Sequence, residues 1–199
     1  MSLRTARADR PNAQATLALL HGLGSHEYDL LELHNMLRAP VRTVAARAPY
    51  GYGPGFAWFD LDFSVSPPVA NLEQAASSLG LLNQWLDALR TEGPLILGGF
   101  SQGAIMTLAA IGQDPSRFAG AVLLSGAPID PSLVGSLDGL PVFVSHGDDD
   151  EVLPASGADE TVRLLESCSA RVTSFRYEAG HTITEENLED LDIWLESLL

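Results

Sequence analysis

A serine lies between a short apolar run and an Ala-rich helical pattern, in the sequence Gly99-Phe100-Ser101-Gln102-Gly103. A G-x-S-x-G pattern at a strand-to-helix junction is typical of a sharp turn that exposes the serine hydroxyl. Glycines fit positions 99 and 103 because side chains two residues from the serine would collide in such a turn. The turn also leaves the N–H of Gln102 free at a helix N-terminus, where negative charge is stabilised. The pattern alone also occurs in ordinary glycine-rich turns, so the rest of the chain decides its meaning.

A serine hydroxyl needs a base to remove its proton, and histidine suits that task near neutral pH. Of the five histidines, only His181 follows the last predicted strand, and it lies in a loop directly after Gly180. His21 and His146 stand at strand ends, where a histidine more often orders a turn than catalyses. We therefore predict that His181 is the general base.

The base needs a carboxylate that fixes the imidazole tautomer and stabilises the imidazolium. The loop after the preceding predicted strand carries a run of adjacent acids, and Asp130 is a more distant alternative. The run consists of Asp148, Asp149, Asp150 and Glu151. The residue types alone leave the choice among these acids open, because a charge run is also typical of a solvated loop.

Strands and helices must alternate to position these groups, and the apolar pattern predicts that they do. Strands are predicted at 15–20, 41–46, 119–124, 141–145 and 171–177 and in the run before Ser101, and helices at 28–37, 72–89, 155–167 and 184–198 and in the pattern after Ser101. This alternation predicts an α/β fold, a mostly parallel sheet of six to seven strands with helices on both faces. In such a sheet the active site lies beyond the carboxyl ends of the strands. Residues 1–14 either add an edge strand or fray, and 48–70 form a long loop rich in aromatic residues.

Length and composition exclude several classes of protein. The 199 residues are predicted to form a single domain. The sequence contains no run of 18 apolar residues, so we expect no membrane helix. The N-terminus lacks the pattern of a signal peptide, so we expect a cytoplasmic protein. A net charge of −15 without any lysine argues against nucleic acid and against stable membrane association. The single cysteine, Cys168, predicts no internal disulfide. His26 and His34 are eight residues apart, not the roughly four that would place them on one helical face, so we expect no metal site and no cofactor.

Five segments, in order between residues 17 and 196, resemble the phospholipase/carboxylesterase family of α/β-hydrolases, which includes acyl-protein thioesterases and small bacterial carboxylesterases. The segments are Leu20–Gly24 with Asp29–Leu31, Trp58–Asp60, Gly98–Gly103, His146–Asp150 with Val152 and Pro154, and Tyr177–His181. The resemblance implies a compact α/β-hydrolase fold. In the family's His-Gly-Asp-x-Asp segment the later Asp is the triad acid, which maps to Asp150. The resemblance also implies an oxyanion hole from the backbone N–H groups of Leu23 and Gln102, whose side chains need not matter.

We therefore predict a serine hydrolase that cleaves carboxylic esters or thioesters of small molecules through an acyl-enzyme on Ser101. The short segment 60–72 leaves little room for a large lid, so we expect a shallow cleft and short to medium acyl chains. Trp58 and Phe59 either wall the acyl site or pin the aromatic loop as core residues. The sequence leaves open whether the chain is a monomer or a homodimer.

Two other readings compete with this prediction. One is a lysophospholipase or acyl-protein thioesterase of the same fold. The other is a non-catalytic, hydrolase-like binding protein, against which the intact Ser, Asp and His argue.

Overall fold

Strands and helices alternate along the chain in the computed structural model, which describes residues 2–65, 68–91 and 93–199. The strands are β1 (Thr5–Ala8), β2 (Ala15–Leu20), β3 (Val41–Ala46), β4 (Tyr50–Tyr52), β5 (Gly55–Ala57), β6 (Leu61–Asp62), β7 (Val69–Ala70), β8 (Leu95–Phe100), β9 (Gly120–Leu124), β10 (Pro141–Gly147) and β11 (Arg171–Tyr177). The helices are α1 (Leu33–Met36), α2 (Leu72–Ala88), α3 (Gln102–Gln113), α4 (Ser156–Ser167) and α5 (Glu185–Ser197).

Seven of the strands form one sheet in the spatial order β1-β3-β2-β8-β9-β10-β11. Every neighbouring pair in it is parallel except β1 with β3, which is antiparallel at the edge. Parallel neighbours need crossover connections, and helices supply them except between β9 and β10, where the chain forms only a short 3₁₀ turn. The predicted α/β fold with a mostly parallel sheet is confirmed. The first residues of the chain contribute the edge strand β1.

Apolar side chains pack on both faces of this sheet, which explains the unbroken apolar runs in its strands. Along β2, Leu17 and Leu19 join the core that includes Leu191 and Leu195 of α5. Leu20 faces the other way, toward the core formed with α2 and α3. Successive side chains of a strand point to opposite faces, so a strand covered on both sides must be apolar throughout.

The predicted helix at 28–37 is shorter than expected. It consists of a 3₁₀ turn at Leu30–Glu32 followed by the single-turn helix α1. The shortening is at the start, whereas the helix ends after Met36, close to the predicted end. Just beyond that end, the N–H groups of Arg38 and Ala39 donate to the carboxylate of Asp192 in α5, both at 2.8 Å. A partner 154 residues away in sequence thus holds the chain that follows this helix.

The aromatic segment 48–70 contains two small antiparallel ribbons rather than an irregular loop. Strands β4 and β5 form the first ribbon, and β6 and β7 form the second. Strands of two or three residues give no readable alternation of apolar and polar positions, so the sequence indicated only a structured loop.

Candidate active site

Ser101 occupies the turn between β8 and α3 in a conformation that few residues adopt. Its φ of 54° and ψ of −120° lie in a strained region for a residue with a side chain. Its N–H donates to the carbonyl of Leu124 at the end of β9, at 2.9 Å. The turn is therefore held by the neighbouring strand.

The two glycines that flank Ser101 are required by close backbone contacts. A Cβ on Gly99 would lie 2.3 Å from the carbonyl carbon of Gly103. A Cβ on Gly103 would lie 1.9 Å from the carbonyl oxygen of Leu20 in β2. Neither position has room for a side chain, in agreement with the steric reason for the motif.

His181 lies between Ser101 and Asp150. Its Nε2 is 2.8 Å from the Ser101 Oγ, and its Nδ1 is 2.7 Å from the Asp150 Oδ2. The imidazole also packs on the ring of Phe100, with 4.8 Å between ring centroids. The structure thus brings together the serine, histidine and aspartate that the sequence singled out, with the histidine able to bond to both partners at once.

The loops that carry Asp150 and His181 are joined by backbone contacts. The Asp149 N–H donates to the Ala179 carbonyl at 3.0 Å. A Cβ on Gly147 would lie 2.2 Å from that same carbonyl oxygen, so the two loops touch where β10 and β11 end. The parallel pairing of these strands therefore fixes the separation of acid and base.

The carboxylate of Asp150 is buried and fully bonded. Its side chain is 0% exposed, and its Oδ1 accepts from the N–H groups of Val152 at 2.9 Å and Leu153 at 2.8 Å. Burial alone raises the pKa of a carboxyl group, but the hydrogen bonds from His181, Leu153 and Val152 outweigh it and hold the pKa of Asp150 below its usual value. Asp150 is accordingly an anion beside His181.

The other acids considered from the sequence point elsewhere. Asp148 forms an ion pair with Arg176 at 2.5 Å, and Asp149 is exposed. The Asp130 carboxylate accepts from the N–H and hydroxyl of Ser132, on a different loop. Asp150 is the acid that accepts the hydrogen bond from His181.

The two backbone N–H groups expected to form an oxyanion hole belong to segments that meet at Ser101. Gln102 is the first residue of α3, so its N–H has no partner within the helix. On the other side, the position of a Cβ on Gly22 would be 3.4 Å from the Ser101 Cβ, so the chain reaches Leu23 directly beside the serine. Beyond Leu23, the Gly24 N–H donates to the Phe56 carbonyl at 2.8 Å, which fastens this loop to the first ribbon.

A buried ion pair supports the Leu23 loop, and the sequence analysis did not find it. The Glu27 carboxylate is 4% exposed and accepts two hydrogen bonds from the Arg47 guanidinium, at 2.6 and 2.7 Å. The guanidinium carbon lies 4.3 Å from the centroid of the Phe56 ring. Burial raises the pKa of Glu27, but the hydrogen bond from Arg47 outweighs it and lowers that pKa. No short motif marks these residues, because they are 20 positions apart.

Trp58 and Phe59 belong to the core in this structure. Both side chains are 0% exposed, and the Trp58 indole N–H donates to the His21 carbonyl at 2.9 Å. Neither side chain has exposed surface that could touch a substrate, so both are core residues that pin the aromatic loop. The signal was ambiguous because a large aromatic residue in a loop suits both roles equally.

The side chain of Gln102 has a structural task that was not foreseen. Its Oε1 accepts from the Trp58 N–H, and its Nε2 donates to the Phe59 carbonyl, each at 2.7 Å. The residue whose N–H faces the serine turn is thereby clamped to the aromatic segment.

An apolar cavity of about 350 Å³ lies apart from the serine, between α2, α3 and the chain after β9. Its apolar walls include Leu72, Leu79, Ile105, Ala109, Ile129 and Val134. Ser101, Asp150 and His181 do not line it. On the second ribbon, Phe63, Val65 and Val69 are exposed rather than folded over a pocket.

The described part of the chain contains neither a cluster of metal ligands nor a membrane-spanning helix. Within residues 2–65, 68–91 and 93–199 there is no group of three His, Cys, Asp or Glu side chains placed to hold a metal ion. No helix in those ranges is long and apolar enough to cross a membrane.

Comparisons with known proteins agree with the geometry. Residues 4–199 match the family model described as Phospholipase/Carboxylesterase. Acyl-protein thioesterase 1 of Eremothecium gossypii is 31% identical over 164 residues, which are 76% of this chain and 68% of that protein. The crystal structure of esterase PE8 superposes with a TM-score of 0.86 at 29% identity and covers 100% of both chains. The Bacillus cereus carboxylesterase superposes with a TM-score of 0.87 at 21% identity, over 99% of this chain and 95% of that one.

Proposed function

This chain belongs to the phospholipase/carboxylesterase family of α/β-hydrolases, and from that premise we propose how it cleaves esters and thioesters. It is a hydrolase that acts on carboxylic esters of small molecules, in keeping with its thioesterase and carboxylesterase relatives. The proposal assigns the nucleophile to Ser101, the base to His181 and the acid to Asp150. The observation that carries it is the position of His181, 2.8 Å from the serine oxygen and 2.7 Å from the Asp150 carboxylate.

In the first half of the reaction, His181 Nε2 takes the proton of the Ser101 hydroxyl as Oγ bonds to the acyl carbon. The carbonyl oxygen becomes an oxyanion, which accepts hydrogen bonds from the N–H groups of Leu23 and Gln102. Asp150 holds the Nδ1 hydrogen of His181 and stabilises the imidazolium. When the bond from carbon to the leaving oxygen or sulfur breaks, His181 returns the proton to the departing alcohol or thiol.

In the second half, a water molecule replaces the alcohol or thiol. His181 takes a proton from the water as its oxygen bonds to the acyl carbon, and the oxyanion forms again in the same place. The bond from carbon to Ser101 Oγ then breaks, and His181 gives the proton back to the serine. The products are a carboxylic acid and the regenerated enzyme.

Short to medium acyl chains are the substrates that the surroundings of Ser101 favour. The second ribbon has strands of only two residues, and the apolar cavity does not include the reacting residues. A long chain would therefore gain little buried area beside the serine, and each buried CH₂ group contributes about 0.8 kcal/mol. We expect kcat/KM to be highest for short to medium acyl groups and to fall for long ones.

An acyl-protein thioesterase is the second candidate, because a relative of that name shares 31% identity with this chain. The two candidates differ in acyl length and leaving group. A series of p-nitrophenyl esters from acetyl to palmitoyl, with matching acyl-thioesters, separates them. A marked preference for palmitoyl substrates would make the thioesterase reading the better one.

Covalent labelling of Ser101 by a fluorophosphonate tests the proposal itself. Mass spectrometry of the labelled protein is expected to find the adduct on Ser101. No label on Ser101 together with no hydrolysis of any ester would support a non-catalytic binding protein instead.

A further inference from the structure

A second histidine contacts the carboxylate of Asp150. His146 lies near the end of β10, and its side chain is 1% exposed. Its Nε2 is 2.7 Å from the Leu153 carbonyl oxygen and 3.2 Å from the Asp150 Oδ2. The Leu153 carbonyl oxygen is an acceptor, so Nε2 carries a hydrogen and donates it to Leu153, with the Asp150 carboxylate close beside the same N–H.

The other nitrogen of His146 has no partner. Its Nδ1 is buried and makes no hydrogen bond within the described residues. A buried polar atom without a partner lowers stability, so an apolar side chain would serve better if this position only filled space. The polar contacts of the ring are thus directed at the Asp150 loop alone.

Leu153 connects the two residues a second time. Its carbonyl accepts from His146, and its N–H donates to the Asp150 Oδ1 at 2.8 Å. Both backbone groups of Leu153 therefore bond back to this segment, the carbonyl to His146 and the N–H to Asp150. The Asp150 Oδ2 in turn accepts from His181 Nδ1 at 2.7 Å and lies 3.2 Å from His146 Nε2.

We propose that His146 is a positioning residue for hydrolysis: its Nε2–H holds the Leu153 carbonyl and lies beside Oδ2, and it thereby fixes the plane of the Asp150 carboxylate so that Oδ2 faces His181. This inference rests on the proposed function. Neither ring nitrogen of His146 bonds to Ser101 or His181, so His146 acts through the Asp150 loop. An ester hydrolase built in this way uses two histidines on one carboxylate, of which one moves protons and the other holds the acceptor still.

The tautomer of His146 in the unmodified protein is the first test. Nitrogen-15 spectra of the histidine rings are expected to show the hydrogen of His146 on Nε2. A hydrogen on Nδ1 alone would overturn the proposal, because the ring could then not donate to the Leu153 carbonyl. This measurement does not depend on any activity.

Two substitutions give the second test. His146→Gln keeps an N–H donor, whereas His146→Met fills a similar volume without one. We expect His146→Met to lower kcat for p-nitrophenyl acetate by about 10- to 100-fold with KM within about twofold, because a small misplacement of a catalytic group is costly. His146→Gln should keep kcat within about fivefold of the unmodified enzyme. The low-field proton signal of the His181–Asp150 hydrogen bond should move in the Met variant and stay in the Gln variant.

The matched control is His34→Met. His34 is another buried histidine, and its Nδ1 lies 3.0 Å from the Thr43 hydroxyl, a contact that does not involve the serine. It should leave kcat and the low-field signal unchanged. Equal losses of kcat in the Gln and Met variants, or a Met variant with unchanged kcat and signal, would overturn the proposal. If His146→Met does not fold, the tautomer and the His146→Gln variant decide. An unmodified protein that hydrolyses no ester would instead refute the proposed function and leave the tautomer test intact.

Discussion

The two sides of Ser101 are built in different ways. On one side, Asp150 and His181 follow β10 and β11, adjacent parallel strands whose ends meet at one edge of the sheet, and their proposed roles belong to their side chains. On the other side, the proposed role of Leu23 belongs to its backbone N–H, on a loop that is fastened to the first ribbon and lies near the Glu27–Arg47 pair. We call these the triad side and the oxyanion side.

The difference shows which parts of a site can be read from a sequence. The triad side depends on residue types at strand ends, and both residue type and strand ends leave a visible pattern. The oxyanion side depends on where a backbone N–H lies, which any residue can supply. Its supporting contacts come from segments that carry no motif. Substitutions on the two sides should therefore differ in the size and character of their effects.

Ser101→Ala should have the largest effect. We expect kcat to fall by about 10³- to 10⁶-fold, because only substrate binding and the oxyanion hole then remain. Steady-state kinetics on a short ester gives the measurement, and an unchanged circular dichroism spectrum with cooperative melting gives the control. Retention of tens of per cent of the activity would remove Ser101 from the mechanism.

Asp150→Asn should come next, with a loss in kcat of about 10⁴-fold, because an amide favours the wrong tautomer of His181. Asp149→Asn is the matched control on the neighbouring exposed residue and should cost little. The comparison uses the same ester for both variants. A larger loss at Asp149, Asp148 or Asp130 than at Asp150 would show that the acid has been assigned wrongly.

Glu27→Gln tests the oxyanion side and should cost less than the triad substitutions. The amide keeps the size of the side chain but weakens the two charged hydrogen bonds from Arg47, so the Leu23 loop loosens. We expect kcat to fall by about tenfold with KM nearly unchanged, since an oxyanion donor acts mainly in the transition state. Asp87→Asn is the control, because Asp87 pairs with Arg117 on an exposed surface. Equal kcat values in the two variants would show that the buried pair does not support the hole.

Asp192→Asn should leave both sides of the site active and weaken the fold. The carboxylate is 4% exposed, and burial alone raises its pKa. The hydrogen bonds from Ala39 and Arg38 outweigh burial and hold that pKa below the usual value. We expect the variant to lose about 2 kcal/mol of unfolding free energy at pH 7, as hydrogen bonds to a charged group contribute about that much.

The pH dependence of this loss follows from the sign of the shift. A lowered pKa in the folded protein contributes stability above the unfolded pKa of about 3.9, and the contribution disappears as pH falls through the lower folded pKa. Urea unfolding of both proteins from pH 7 to pH 3 should therefore show the difference in free energy shrinking at the acid end. A difference that stayed constant over this range would show that the charge of Asp192 is not its source. The kcat of the variant should remain within about twofold of the unmodified enzyme, because Asp192 does not contact the proposed site and substitutions at distant positions act independently.

The sequence predicted the sheet and its long helices because each rests on local pattern. It singled out Ser101 and His181 from their positions at strand ends, and Asp150 only through the family resemblance, and the structure brings these three together. It misjudged the start of the helix at 28–37, where a 3₁₀ turn at Leu30–Glu32 precedes a single helical turn, because packing rather than apolar spacing decides so short a segment. It left Trp58 and Phe59 undecided because burial of an aromatic residue depends on what packs around it. It assigned no role to the amide of Gln102, whose partners lie 44 and 43 residues away.

Gly103 has a consequence for how this enzyme could be altered. Its Cα hydrogen faces the carbonyl of Leu20, where a Cβ would lie 1.9 Å from the oxygen. The strand that leads to Leu23 and the helix that begins at Gln102 therefore touch backbone to backbone, with no side chain between them. This contact is thus fixed by the main chain, and no repacking of side chains can widen or narrow it. Selection for bulkier or differently shaped substrates would have to act on the loops beyond this contact, because a side chain at position 103 would force the strand and the helix apart.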